Sequence, residues 1–199
     1  MKKIPFLAIL ASFAFVACGV DTTGLSAVSS RKPLGPDNAP VLVQEYADLQ
    51  CPACKEANTL ITKPMLQKYG STIRYEFNHF PLTQHEFAIE AGEALECAAD
   101  QGKFWQFLDL AYERQATLGS AALREWGTVL GLDGQLFDRC ISSEIKKEIV
   151  LSDFTAGEKL EISQTPTYFV NGIKVADASL AGVGTAIEAA LQQIQKAPL

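Results

Sequence analysis

The sequence predicts an α/β domain interrupted by a helical insertion, and three observations carry that prediction. A short apolar, β-branched run and a helical stretch lead into a second strand. Residues from about 84 to 160 then show helical periodicity with almost no strand signals, and strand signals return in a hairpin before a last helix. At 199 residues and 48% hydrophobic content, the chain suits one ordinary domain with an extra segment and a real core. A net charge of −6, with no basic run after the first residues, would repel a phosphate backbone, so nucleic-acid binding is set aside.

The chain opens with Lys2-Lys3 and an apolar run over 4–16 broken only by Pro5 and Ser12, the layout of a signal peptide over 1–17. A spanning helix needs about 20 apolar residues; an uncleaved membrane anchor is therefore the weaker alternative. Phe15-Val16-Ala17-Cys18-Gly19 resembles a bacterial lipoprotein processing box, which implies cleavage before Cys18 and lipidation of that residue. The alternative is an ordinary cleavage site with an incidental cysteine. Taking Cys18 out of the five cysteines leaves Cys51, Cys54, Cys97 and Cys140, an even set suited to disulfides in an oxidising compartment.

Residues 18–38 are rich in Ser, Thr, Gly and Pro and read as a flexible tether that would let the domain stand off a membrane. The first part of the folded domain spans 39–83. It starts with a buried strand at 40–46, followed by a helix over 52–69 that Pro64 should kink and Gly70 should stop. Alternation at 72–77 predicts the second strand. The insertion at 84–160 should hold four or five helices. The second part, 161–199, contains strands at 167–170 and 173–175 around Asn171-Gly172, a turn dipeptide that tolerates positive φ at both positions, and a helix over about 180–195.

Cys51-Pro52-Ala53-Cys54 falls where the first strand runs into the first helix. Pro52 at the first helical position loses nothing by lacking an N–H. The free N–H groups and dipole of a helix start favour negative charge, so Cys51 should have a lowered pKa and act as the attacking thiolate. Cys54, one turn further on the same face, should be the less exposed resolving thiol. Two other readings are half of a zinc site and a plain structural disulfide. Zinc lacks ligands here, with only His79 and His85 as imidazoles and no second CxxC. A structural disulfide would have no need of a helix start.

Val43-Gln44-Glu45-Tyr46-Ala47-Asp48-Leu49-Gln50 leading into Cys51-Pro52-Ala53-Cys54, together with Thr165-Pro166-Thr167 before a strand, resembles the DsbA-like branch of the thioredoxin superfamily. So does the run from Cys97 to Trp105, and the resemblance spans roughly 40–194. It implies a thioredoxin-like fold with a helical insertion domain and a protein thiol-disulfide oxidoreductase activity that needs no metal or organic cofactor. It further implies that Pro166 is cis and faces the cysteines, that the backbone at Thr165 and Pro166 pairs with a client peptide, and that Glu45 is a buried acid exchanging protons with Cys54. The plainer readings are a strand-edge proline and a solvent-facing glutamate. Related sequences place cysteines much as Cys97 and Cys140 stand, implying a structural disulfide; a second redox pair is the alternative.

Partners implied by the resemblance are thiol-containing client proteins and a membrane quinone-linked oxidoreductase that reoxidises the pair, with the lipid anchor holding the protein to the membrane in the cell envelope. The rival functions are a reductase or isomerase kept reduced by a membrane donor, and a non-catalytic scaffold lipoprotein. Pro52-Ala53 does not choose between directions, since Ala adds neither charge nor hydrogen bond. Asp48 reads as a turn former, His79 and His85 as structural or surface residues, and Phe104, Trp105, Phe107 and Leu108 as a core-facing stripe.

Overall fold

The computed structural model describes residues 20–196. The expected signal peptide at 1–17 and the expected lipidation site at Cys18 lie outside the described residues. Strand β1 (Val41–Ala47) is followed by α1 (Pro52–Ala57), a π-helical turn (Asn58–Thr62), α2 (Lys63–Tyr69) and β2 (Ile73–His79). The insertion contributes α3 (Ala88–Asp100), α4 (Phe104–Glu113), α5 (Ser120–Val129), α6 (Gly134–Ser142) and α7 (Lys147–Lys159), with a 3-10 turn at Gln115–Thr117. Strands β3 (Thr167–Val170) and β4 (Ile173–Lys174) and helix α8 (Leu180–Lys196) complete the chain.

The sheet order is β2-β1-β3-β4. β1 runs parallel to β2, from Val41 opposite Ile73 to Ala47 opposite His79, and antiparallel to β3. A parallel pair needs a crossover, and α1 and α2 supply it. Asn171 and Gly172 take φ of 48° and 77°, so the β3–β4 hairpin closes through the two positive-φ positions its sequence suits.

Period-two alternation sorts β1 into two faces. Val41 and Val43 join Met65, Tyr75, Tyr168 and Ile187 in one core, whereas Tyr46 packs with Phe80, Ile162 and Phe169 on the other. Glu45 has the parity of Val41 and Val43 and points into the apolar side. The end of β1, Leu49 and both CxxC cysteines join the core of the insertion, formed by Leu95, Phe107, Leu123, Trp126 and Phe137. Cys97 on α3 and Cys140 on α6 are joined by a disulfide inside this core.

Three details differ from expectation. The Pro64 helix does not simply kink: a π-turn at Asn58–Thr62 widens the backbone just before the proline, whose missing N–H would otherwise interrupt the ladder. Gly70 stops α2 where expected, but it does so in right-handed helical geometry.

The third concerns the tether over 18–38. Its part from Val28 to Leu34 is docked on the domain. Arg31 pairs with Glu96 at 3.1 Å and with Asp153 at 2.6 Å, the Lys146 ammonium donates to the Val28 carbonyl, and Leu34 bridges to Tyr75 at the edge of β2. Composition predicted flexibility, but buried Glu96 and Lys146 need partners, and the segment provides them.

Candidate active site

Cys51 caps α1 in extended geometry, with φ −75° and ψ 119°, and Pro52 opens the helix. The backbone N–H groups of Ala53 and Cys54 at the helix start face the sulfur. Both cysteines are free thiols, Cys51 with 6% of its surface exposed and Cys54 with none. Cys51 Sγ lies 3.7 Å from the Thr165 carbonyl, and the Thr165–Pro166 bond is cis. The loop before β3 therefore lies directly across from the outer thiol.

The two thiols are polarised in opposite senses. A hydrogen bond from Cys54 is the largest influence on Cys51, followed by Thr165 and the N–H groups of Cys54 and Ala53, and together they outweigh burial to bring Cys51 down to about 5. Burial pushes the Cys54 thiol far up, reinforced by its hydrogen bond to Cys51. An outer thiolate, 6% exposed, over a fully buried thiol is the arrangement that disulfide exchange requires.

Glu45 is 2% exposed and receives hydrogen bonds from the Tyr75 hydroxyl at 2.5 Å and the Thr62 hydroxyl at 2.7 Å. Thr62 in turn bonds the Tyr168 hydroxyl. Burial raises the Glu45 pKa despite these bonds. Among the described residues neither cysteine hydrogen-bonds to Glu45, but the buried Tyr112 hydroxyl lies in the field of both Cys54 and Glu45.

The loop between β1 and α1 is pinned from three sides. The Asp48 carboxylate accepts from the Gln50 N–H at 2.7 Å, the Leu82 N–H at 2.9 Å and His85 Nδ1 at 2.7 Å, while the Asp48 N–H faces Cys54 Sγ at 3.5 Å. Gln50 Oε1 accepts from the Phe87 N–H. Gln115 Nε2 donates to the carbonyls of Leu49 and Cys51 at 2.7 and 2.9 Å.

Cys51, Cys54, Thr165, Pro166 and Glu45, predicted as site residues, thus converge on one end of the sheet. Asp48 forms the expected turn, but its carboxylate is also fully buried and pairs with the partly buried His85, which precedes α3. His79 is buried against Glu96 at 3.0 Å. Phe104, Phe107 and Leu108 are core residues as expected; Trp105 is only partly buried, and its Nε1 donates to the Lys32 carbonyl. Sequence reasoning missed Thr62, Tyr75, Tyr112, Tyr168 and Gln115. The parity of β2 signals Tyr75 as inward-facing, but nothing local marks Gln115. Among the described residues no group of three or more His, Cys, Asp and Glu side chains gathers for a metal.

The sequence profile described as Thioredoxin matches residues 29–189. The chain belongs to the thioredoxin family. Its curated relatives include an Na(+)/H(+) antiporter NhaA 3 of Salinispora tropica, 40% identical over 139 residues that cover 69% of this chain and 21% of the antiporter. An NhaA 1 of Salinispora arenicola is 37% identical over the same shares. The chain therefore spans about a fifth of the length of the curated relatives it matches.

Among solved structures, BdbD from Bacillus subtilis superposes with a TM-score of 0.74 at 22% identity, covering 82% of this chain and 94% of BdbD. The α-DsbA1 of Wolbachia pipientis gives 0.71 at 22% over the same shares. MdbA of Corynebacterium diphtheriae, a thiol-disulfide oxidoreductase, gives 0.67 at 20% over 81% and 91%. The thioredoxin-like fold with its helical insertion is thus the fold of DsbA-type structures.

Proposed function

We propose that this protein is an extracytoplasmic thiol-disulfide oxidoreductase that introduces or exchanges disulfides in envelope or secreted proteins. The observation that carries the reading is the polarised pair: Cys51 at a helix start with its pKa brought to about 5, over a fully buried Cys54 whose pKa is raised. With the pair oxidised, a client thiolate attacks Cys51 Sγ. The Cys51–Cys54 bond breaks, the electron pair leaves on Cys54, and Cys54 takes a proton. Glu45, whose raised pKa lets it hold a proton in the buried interior, is the donor we assign, acting directly or through water.

A second client thiolate then attacks the client sulfur of the mixed disulfide and expels Cys51 as its stabilised thiolate. The client loses two electrons, and the cysteine pair gains them. Thr165 and Pro166 lie beside the outer sulfur, and their backbone supports the reading that the client strand pairs there. A stable Cys51 thiolate lowers the free energy of the reduced form, which favours the oxidant direction over reductase or isomerase. Reoxidation by a membrane quinone-linked partner and anchoring through a lipid on Cys18 belong to the same reading.

Three measurements test it. The reduction potential of the pair in glutathione buffers should fall towards the oxidising end, about −120 mV, and not near the −270 mV or so of a thioredoxin-like reductant. Cys54→Ala should accumulate mixed disulfides on Cys51. A Cys51→Ser protein with unchanged exchange activity would refute the reading and leave a scaffold role.

A further inference from the structure

Gln115 belongs to the insertion, in the 3-10 turn after α4, yet both of its amide hydrogen bonds end on the active-site loop. Nε2 donates to the Leu49 carbonyl at 2.7 Å and to the Cys51 carbonyl at 2.9 Å. The Cys51 carbonyl is also the acceptor for the N–H groups of Cys54 at 3.1 Å and Lys55 at 3.2 Å, the bonds that start α1. A second link runs the same way, from Lys55 Nζ to the Glu113 carbonyl at 3.3 Å. The end of α4 is thus fastened to the first turn of the CxxC helix.

These bonds bear on the sulfur in two ways. The carbonyls of Leu49 and Cys51 are negative dipole ends close to the atom that must carry negative charge, and an N–H donor shared between them offsets that potential. The same donor fixes ψ of Cys51, and with it the aim of Sγ toward the N–H groups of the helix start.

We propose that Gln115 is a positioning residue through which the helical insertion sets the reactivity of Cys51, by holding the Leu49 and Cys51 carbonyls on its carboxamide while the N–H groups of the helix start face the sulfur. The inference rests on the oxidoreductase reading and adds to it a specific task for the insertion. Gln115 touches no client and is not itself catalytic.

The test compares the full chain with Gln115→Met, which keeps the size and removes the donors, and Gln115→Glu, which places a carboxylate against the two carbonyls. The rate of Cys51 alkylation by iodoacetamide is followed against pH at the Cys51 peptide by mass spectrometry, together with the equilibrium of the Cys51–Cys54 pair with glutathione. Loss of the donors should raise the Cys51 pKa by about one and shift the glutathione equilibrium about tenfold, or ~30 mV, toward a more reducing pair.

Gln115→Glu should shift both further in the same direction. Gln115→Asn, which keeps the amide but is one methylene too short, should match Gln115→Met and provides a second measurement should the Met protein not fold. A merely structural Gln115 would lower the stability of both redox forms and leave the pKa and the equilibrium at their parent values, and that result overturns the proposal. If the parent protein itself alkylates at Cys51 like a free thiol, the failure lies with the oxidoreductase reading instead.

Discussion

Acidifying the reduced protein should remove a defined share of its stability, because Cys51 titrates at about 5 in the fold against 9.0 for a free thiol. A group whose folded pKa lies below its unfolded value stabilises the fold in full above the unfolded value. The contribution shrinks as pH falls and is gone below the folded one. At about 1.4 kcal/mol per pH unit, Cys51 contributes roughly 5 kcal/mol at alkaline pH, about 3 kcal/mol at neutral pH, and nothing below about pH 5. Cys54, pushed upward by burial, stays protonated in folded and unfolded chains across the neutral and acid range and adds no slope there. The disulfide form has no Cys51 thiol to titrate, while Glu45 and the remaining acids are common to both forms. The difference in unfolding free energy between reduced and oxidised protein therefore isolates the cysteine. Urea unfolding with and without reductant, at intervals from about pH 5 to about pH 8, should show the gap moving in favour of the reduced form by about 3–4 kcal/mol. Reduced Cys51→Ser should lack this pH-dependent gain. A gap that stays flat across the range would refute the argument that the helix start and Cys54 together hold Cys51 as a thiolate.

Three further outcomes follow from the same geometry. Glu45→Gln removes the buried acid while keeping its shape and should slow the protonation of Cys54 that accompanies mixed-disulfide formation by on the order of 100-fold, read by the stopped-flow rise of the mixed disulfide from the oxidised protein, with the Cys51 alkylation profile unchanged. Replacing Cys97 and Cys140 together by Ala opens a cross-link between residues 43 apart and should cost about 3–5 kcal/mol in urea unfolding while leaving the Cys51–Cys54 potential in place. Arg31→Ala strips buried Glu96 of one cationic partner and should destabilise the domain by about 3 kcal/mol, with faster amide exchange over 28–34 as the docked segment loosens.

The sequence by itself determined the order of elements, the strand-to-helix position of the CxxC and the turn chemistry of the hairpin, because each is a local matter. Period-two alternation at 72–77, an Asn-Gly dipeptide and a proline at a first helical position act over a few residues, and their physics is complete within them. The resemblance brought Thr165 and Pro166 to the same site, which spacing alone could not have done across more than a hundred residues of chain. Tertiary structure decided the rest. Glu45 is buried because β1 is flanked by β2 and β3 and covered by the π-turn, so that Tyr75, Thr62 and Tyr168 converge on it. The segment at 28–34 reads as flexible by composition, yet it docks because two buried charges far apart in sequence, Glu96 on α3 and Lys146 just before α7, are satisfied by it. Gln115 is an unremarkable glutamine in the sequence, and it reaches the CxxC loop only because the insertion folds back over α1. Partners of this kind are set by the closure of long loops, whose endpoints no local pattern records.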